Sequence, residues 1–217
     1  MQPGMPSEGH QPWRRRVVVE EYNVLISSVG GQGGVTLSRI LSNAALLQGL
    51  NVRVGETLGM AQRGGSVQSH IRVGDNVHGS LIRRGGADVL LALEPGEAAR
   101  VSAYLGPGAR VIMNTESSTP IPVMLGQATY PKVEEIRASL EAIGCRVHSF
   151  NAQRQAQDAG APRSVNVVVL GAFMALGDDV FTPEDVESAL RSTLSGRYLE
   201  ENLRAFEAGR RALHGLT

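Results

Sequence analysis

Two rhythms of apolar residues organise the chain. The β-branched run Asn23-Val24-Leu25-Ile26-Ser27-Ser28 predicts a strand over residues 22–29. Over residues 35–48 the spacing becomes helical: Leu37, Ile40, Leu41, Ala44 and Leu47 make an inward stripe, and Gly49 supplies a stop. A short strand over 51–56 follows. This strand-helix-strand order predicts parallel strands joined by a right-handed crossover, with the first strand central and the loop after it at its C-terminal end.

The rhythm then breaks. Residues 57–66 are glycine-rich, and two alternating runs, 67–73 and 77–82, flank Gly74-Asp75-Asn76, which predicts a β-hairpin inserted into the parallel scheme. The parallel pattern resumes with a strand over 87–93, apolar on both faces, and Glu94-Pro95 opens a helix through about Tyr104. A strand over 109–114, an amphipathic helix over 132–143 and a strand over 146–150 complete the sheet. From Arg163 onward the chain reads as helical, with 165–176 a buried core element. Leu199, Leu203, Phe206 and Leu213 line the inner stripe of a final docking helix whose outer face carries Glu200, Glu201, Arg204, Glu207 and Arg211. The class expected is α/β.

Composition narrows the function classes. A chain of 217 residues fits one large domain, here residues 17–217, after a Pro/Gly/polar stretch over 1–16 expected to be a disordered leader. Lys+Arg and Asp+Glu both number 21, so no charge excess draws the chain to nucleic acid or an anionic membrane. The single cysteine, Cys145, can neither close an internal disulfide nor supply the thiolates of an iron–sulfur cluster. The leader has no apolar signal-peptide core, and the longest apolar run falls short of the roughly 20 residues that span a bilayer. A cytoplasmic location is expected.

The densest chemical signal is Val29-Gly30-Gly31-Gln32-Gly33-Gly34, directly after the first strand. Glycine lets backbone turn tightly and approach another group closely. Read as G-x-G-x-x-G from Gly31, the motif meets Thr36 where the third glycine belongs, and only Glu56 stands where a ribose partner would close the second strand. Three readings stay open: a nicotinamide dinucleotide cradle, a turn serving packing alone, and a loop that approaches a ligand or partner subunit. A second constellation is Gly59-Met60-Ala61-Gln62-Arg63-Gly64-Gly65-Ser66. An arginine flanked by glycines suits bidentate recognition of a carboxylate or phosphate, and equally suits an internal salt bridge that pins two loops. The nearby His70 lies in an alternating strand and reads as structural.

Other chemistry finds no constellation. There is no G-x-S-x-G elbow, Cys145 has no base context, and His10, His70, His78, His148 and His214 are scattered without metal-binding spacing. Gly177-Asp178-Asp179 resembles the start of a thiamine diphosphate motif but lacks the paired asparagines expected about a helix later. No catalytic residue is assigned.

The two glycine motifs, in this order and spacing, together with Arg84-Gly85-Gly86-Ala87-Asp88-Val89-Leu90-Leu91-Ala92-Leu93-Glu94-Pro95, Asn114-Thr115, Tyr130-Pro131, residues 166–172 and Glu201-Asn202-Leu203-Arg204-Ala205-Phe206, resemble the gamma-domain family of 2-oxoacid:ferredoxin oxidoreductases. Within it the chain looks most like the small beta subunits of the indolepyruvate type. Ser28 stands where many relatives carry Gly, and Leu58 where the indolepyruvate type commonly has His.

The resemblance implies a Rossmann-like three-layer domain with a mostly parallel sheet, an inserted β-hairpin and a helical C-terminal segment. It implies a subunit, bearing no cofactor of its own, of an enzyme that oxidatively decarboxylates an arylpyruvate with coenzyme A as co-substrate. The large alpha subunit would carry thiamine diphosphate, Mg2+ and [4Fe-4S] clusters, and would pass electrons to ferredoxin or another acceptor. Gly30, Gly31, Gln32, Gly33 and Gly34, with Met60, Gln62, Arg63, Gly64 and Gly65, would then face the large subunit or the coenzyme A phosphates. Two alternatives remain: a gamma subunit acting on pyruvate, 2-oxoglutarate, a branched-chain 2-oxoacid or phenylglyoxylate, and a free-standing nucleotide-binding regulatory module.

Overall fold

The computed structural model describes residues 18–59, 64–194, 196 and 198–214. Met60, Gln62, Arg63 and the leader expected over 1–16 lie outside the described residues. In chain order the elements are β1 (Tyr22–Val29), α1 (Gly34–Leu47), β2 (Val52–Leu58), β3 (Ser66–Val73), β4 (Ala87–Ala92), α2 (Pro95–Arg100), β5 (Leu105–Asn114), α3 (Ile121–Met124), α4 (Val133–Ala142), β6 (Arg146–Phe150), α5 (Ala152–Asp158), α6 (Val165–Ala175), α7 (Pro183–Thr193) and α8 (Tyr198–Leu213).

Six strands form one sheet in the order β2-β3-β1-β4-β5-β6. β1, β4, β5 and β6 pair in parallel, and β3 runs antiparallel to both β1 and β2, so every strand except β3 points the same way. α1, α5, α6, α7 and α8 cover one face; α2 and α4 cover the other. β4 is buried on both faces from Val89 to Ala92, which is why it reads as a continuous apolar run rather than an alternating one. This is the expected three-layer arrangement.

The inserted hairpin is present, but its partner differs from the one the alternating pattern suggested. β3 pairs with β2, while residues 77–82 form no strand. The Gly74-Asp75-Asn76 turn explains the difference: its three amides donate to the carbonyls of Asn51, Val19 and Glu20, so the chain leaves β3 along the segment preceding β1 instead of folding back. Val77 and Ile82 are buried all the same, as packing residues. β2, parallel to β1 as expected from the strand-helix-strand order, is separated from it by β3. The α2 helix ends at Arg100, and a 3-10 turn over Ser102–Tyr104 leads into a β5 longer than predicted. Its extra residues create a register shift against β4 between Ala87 and Val89.

The tightest helix contact lies at the C-terminal end of the chain. Cβ atoms built on Gly171 of α6 and Gly209 of α8 would each stand 2.0 Å from a carbonyl oxygen of the opposing helix, those of Phe206 and Val168. The helices cross with backbone against backbone, and only glycine allows it. Gly171→Ala will destabilise the domain by about 3 kcal/mol through overpacking, despite the roughly 1 kcal/mol that Ala gains over Gly within a helix. A lowered urea midpoint at unchanged denaturant slope is the expected outcome.

Candidate functional site

β1 hands over to α1, whose crossover runs towards β2, while β4 hands over to α2, whose crossover runs towards β5. The two loops diverge above the adjacent parallel strands β1 and β4, and this switch point is where open α/β sheets leave a crevice at their C-terminal edge. The Gly30–Gly34 loop sits on it.

Each glycine of that loop does a separate job. Val29 to Gln32 closes a turn, with the Gln32 amide on the Val29 carbonyl at 3.0 Å and Gly31 at φ 101°. The Gln32 side chain folds back so that its Oε1 accepts the Val29 N–H at 2.8 Å. Gly33 caps α1 in the left-handed region (φ 83°), and a Cβ there would meet Asn166 Nδ2 at 2.5 Å, because that amide donates to the Gly33 carbonyl. A Cβ on Gly34 would stand 2.4 Å from Ser28 Oγ. Gly33 and Gly34 thus let α1 close onto the sheet and α6. Gly31 faces open space, with nothing within 4 Å of a built Cβ.

The second glycine loop meets the first directly. Gly30 N–H donates to the Gly65 carbonyl at 2.8 Å and Gly64 N–H reaches the Gly30 carbonyl at 3.5 Å, extending the β1–β3 ladder past its last strand pair, Val29 with Ser66. Gly64, at φ 81°, also faces open space. The structure therefore brings Gly30, Gly31, Gly64 and Gly65 into one backbone ridge, exposed at Gly31 and Gly64 and half-buried at Gly30 and Gly65.

Clefts lie on both sides of the ridge. One of about 450 Å³ is bounded by Gly31, Gln32, Asn114, Glu116 and Arg163. The other, of about 550 Å³, lies between Gly64 and Ser66 on one wall and Glu94, Ser118 and Tyr130 on the other. Asn114, buried at the end of β5, secures the first: its Nδ2 donates to the Leu93 carbonyl at 3.2 Å and its Oδ1 accepts the Ala152 N–H at 3.0 Å, tying the ends of β4, β5 and β6 together. Glu94, also buried, secures the second by accepting the Glu97 and Ser118 amides and the Tyr130 hydroxyl. Burial, and then the bond to Glu94, push the Tyr130 hydroxyl far above its usual range. Pattern reading assigned Asn114 and Glu94 no role at the rim, although the Glu94-Pro95 helix start marks Glu94 as a cap.

A concavity of about 1050 Å³, larger than either cleft, opens at the other end of the sheet. There Asp178 spends its whole carboxylate on the fold. Oδ1 accepts the Val180 and Phe181 amides at 2.9 and 2.8 Å, and Oδ2 binds Arg110 and the Tyr22 hydroxyl. Asp178 has no oxygen left for a cation, so it does not fit the Mg2+ of thiamine diphosphate. The donors for an iron–sulfur cluster do not fit either. The chain has one cysteine, its thiol is buried with its pKa pushed up by that burial, and among the described residues no three His, Cys, Asp or Glu side chains converge.

His70 is buried, with its ring edge-on to Tyr104 at 5.0 Å and its Nδ1 accepting the Ile82 N–H at 3.2 Å. It holds the irregular 77–82 segment and lies away from the ridge. No described helix is long and apolar enough to cross a membrane.

Residues 23–212 match the family described as pyruvate ferredoxin/flavodoxin oxidoreductase. The chain is 44% identical over 187 residues to the indolepyruvate oxidoreductase subunit IorB of Archaeoglobus fulgidus, covering 86% of this chain and 92% of that one. It is 42% identical over 188 residues to the subunit of the same name in Methanothermobacter thermautotrophicus, covering 87% and 95%. Among solved structures it resembles the gamma subunit of a keto/oxoacid ferredoxin oxidoreductase from Geobacter sulfurreducens, with a TM-score of 0.64, 26% identity, and 88% and 96% of the two chains covered.

Two predictions follow from this geometry. Gly34→Ala will cost about 1–3 kcal/mol by overpacking, and Ser28→Ala in the same chain will recover part of it, because the nearest remaining atom, Ser28 Cβ, would then lie at 3.3 Å. A double-mutant cycle in urea reads the coupling. The second concerns pH. Burial holds His70 below its ordinary value of 6.5, so the unfolded chain takes up the proton first; stability is whole above about pH 6.5 and falls as pH drops below it. His148 is shifted the same way, by burial and then by neighbouring arginines. His70→Gln should therefore flatten, without abolishing, the fall in melting temperature between pH 7.5 and 5.

Proposed function

The chain belongs to the pyruvate ferredoxin/flavodoxin oxidoreductase family, and on that premise we propose that it is the small subunit of an indolepyruvate-type 2-oxoacid:ferredoxin oxidoreductase. The observation that carries this reading is the end-to-end likeness to subunits of that name, over nearly the full length of both chains. In the complete enzyme an arylpyruvate loses carbon dioxide, its acyl group passes to coenzyme A, and two electrons leave for ferredoxin or another acceptor. The large subunit carries thiamine diphosphate, Mg2+ and the iron–sulfur clusters, and electron transfer runs through it.

The part given to this chain follows from what its rim offers. Gly30, Gly31, Gly64 and Gly65 present backbone without side chains on a ridge between two clefts, a surface that a bulky neighbour can approach closely. That neighbour is the large subunit or the coenzyme A phosphates held against it. Arg63, directly before Gly64 in the chain, is assigned to the same contact by its place in sequence, where its guanidinium would pair with an anion. The chain binds and orients; it supplies no reacting group.

The test is co-expression with the large, cysteine-rich subunit. The expected outcome is a brown complex of both chains whose reduction of ferredoxin or a viologen dye requires both arylpyruvate and coenzyme A. Isolation of this chain alone, or with a stoichiometric nucleotide, would overturn the reading in favour of a free-standing module. Within the complex, Arg63→Ala should raise the KM for coenzyme A or weaken assembly by about tenfold, the scale of a lost charge-assisted hydrogen bond. If both stay unchanged, Arg63 has no part in the contact.

A further inference from the structure

The first turn of α2 joins two loops that are far apart in sequence. On one side Ser66, the first residue of β3 after the glycine hairpin, donates its hydroxyl to Glu97 Oε2. Glu97 is itself buried, and the Arg100 Nε lies 3.2 Å from both its oxygens. Its own N–H donates to Glu94 Oε2 at 2.9 Å. On the other side Glu94 Oε1 accepts the Ser118 N–H at 3.2 Å and the Tyr130 hydroxyl, and Tyr130 in turn accepts the Gly96 N–H at 2.8 Å. A continuous hydrogen-bonded path thus runs from the glycine hairpin, through two buried carboxylates, to both ends of the 118–130 loop. It spans the floor of the 550 Å³ cleft whose walls are those two loops.

We propose that Glu94 and Glu97 are positioning residues that set the separation of the glycine hairpin from the 118–130 loop, and hence the width of the cleft offered to the large subunit and its co-substrate. This rests on the small-subunit reading above. A carboxylate removed from water must be met by donors, and each missing donor is costly. Glu94 and Glu97 find theirs on loops from opposite walls and not within α2 alone. Gly96 belongs to the same device, since a Cβ there would stand 3.0 Å from Glu94 Oε2 and 3.1 Å from the Tyr130 hydroxyl oxygen. Loss of a donor on either wall frees that wall and unsettles the turn that holds the other.

The experiment uses the assembled enzyme with four small-subunit variants: Ser66→Ala, Tyr130→Phe, the double variant, and Ser66→Thr, which keeps the hydroxyl. Steady-state kinetics are read for each co-substrate, with subunit affinity measured alongside. Each single loss should raise the KM for coenzyme A, or the dissociation constant of the subunits, by about threefold to tenfold, the scale of one hydrogen bond. kcat should stay unchanged, and Ser66→Thr should behave as wild type. The double variant should fall short of the product of the two single effects, because both act through one turn of α2 although their hydroxyls bond to different carboxylates. Multiplying effects, or variants with wild-type KM and affinity, would overturn the proposal. A wild-type pair that neither assembles nor turns over would overturn the small-subunit reading instead.

Discussion

The hydrogen bond from Gly30 N–H to the Gly65 carbonyl, 2.8 Å long, is the contact on which the two-loop ridge depends. It exists because β3 enters the sheet antiparallel beside β1, in the place a parallel neighbour would take. Gly64 and Gly65, leading into β3, then lie alongside the first strand-to-helix turn, and glycines some thirty residues apart become one ridge. A parallel strand in that position would have sent its return loop to the other end of the sheet, and the switch point would have carried one glycine loop instead of two.

Around this contact, buried polar side chains fix the rim. Asn114 binds the ends of three strands, and Glu94 binds a helix start to a distant loop. At the opposite end Asp178 performs the same service for the α6–α7 connection through Arg110 and Tyr22. Each is a polar group that must be satisfied once dry, and each satisfies itself on loop backbone or on a residue far away in sequence. Polar residues that could suggest catalysis in isolation are spent on shape. The switch point also exposes the bare backbone of Gly31 and Gly64, which suits the proposed role of a subunit that shapes a surface for cofactors held elsewhere.

The glycines divide along the same line. Gly33, Gly34, Gly171 and Gly209 are required by close packing inside the chain, whereas Gly31 and Gly64 have empty space where a side chain would go. Density of glycine marks both kinds alike. The distinction lies in what stands opposite each Cα, which local sequence does not record.

Much of the architecture was legible because it rests on short-range periodicity. β1, α1, β4, α4 and β6 were located within one or two residues of their ends, since apolar spacing and caps are local signals. The α/β class and the family resemblance followed from the same local text. α5 was not anticipated, because its polar Gln153-Arg154-Gln155 surface carries no stripe and only the Asn151 cap announces it. The partner of β3 was misplaced because alternation shows that a segment can be a strand without saying which edge it joins; the amides of Gly74, Asp75 and Asn76 made that choice by bonding to carbonyls far away. The sequence by itself determined most of the elements and their order. Tertiary structure alone decided which glycines pack and which stay open, and which carboxylates would tie the two walls of a cleft, because those outcomes depend on long-range partners that buried polar groups and close backbones must find.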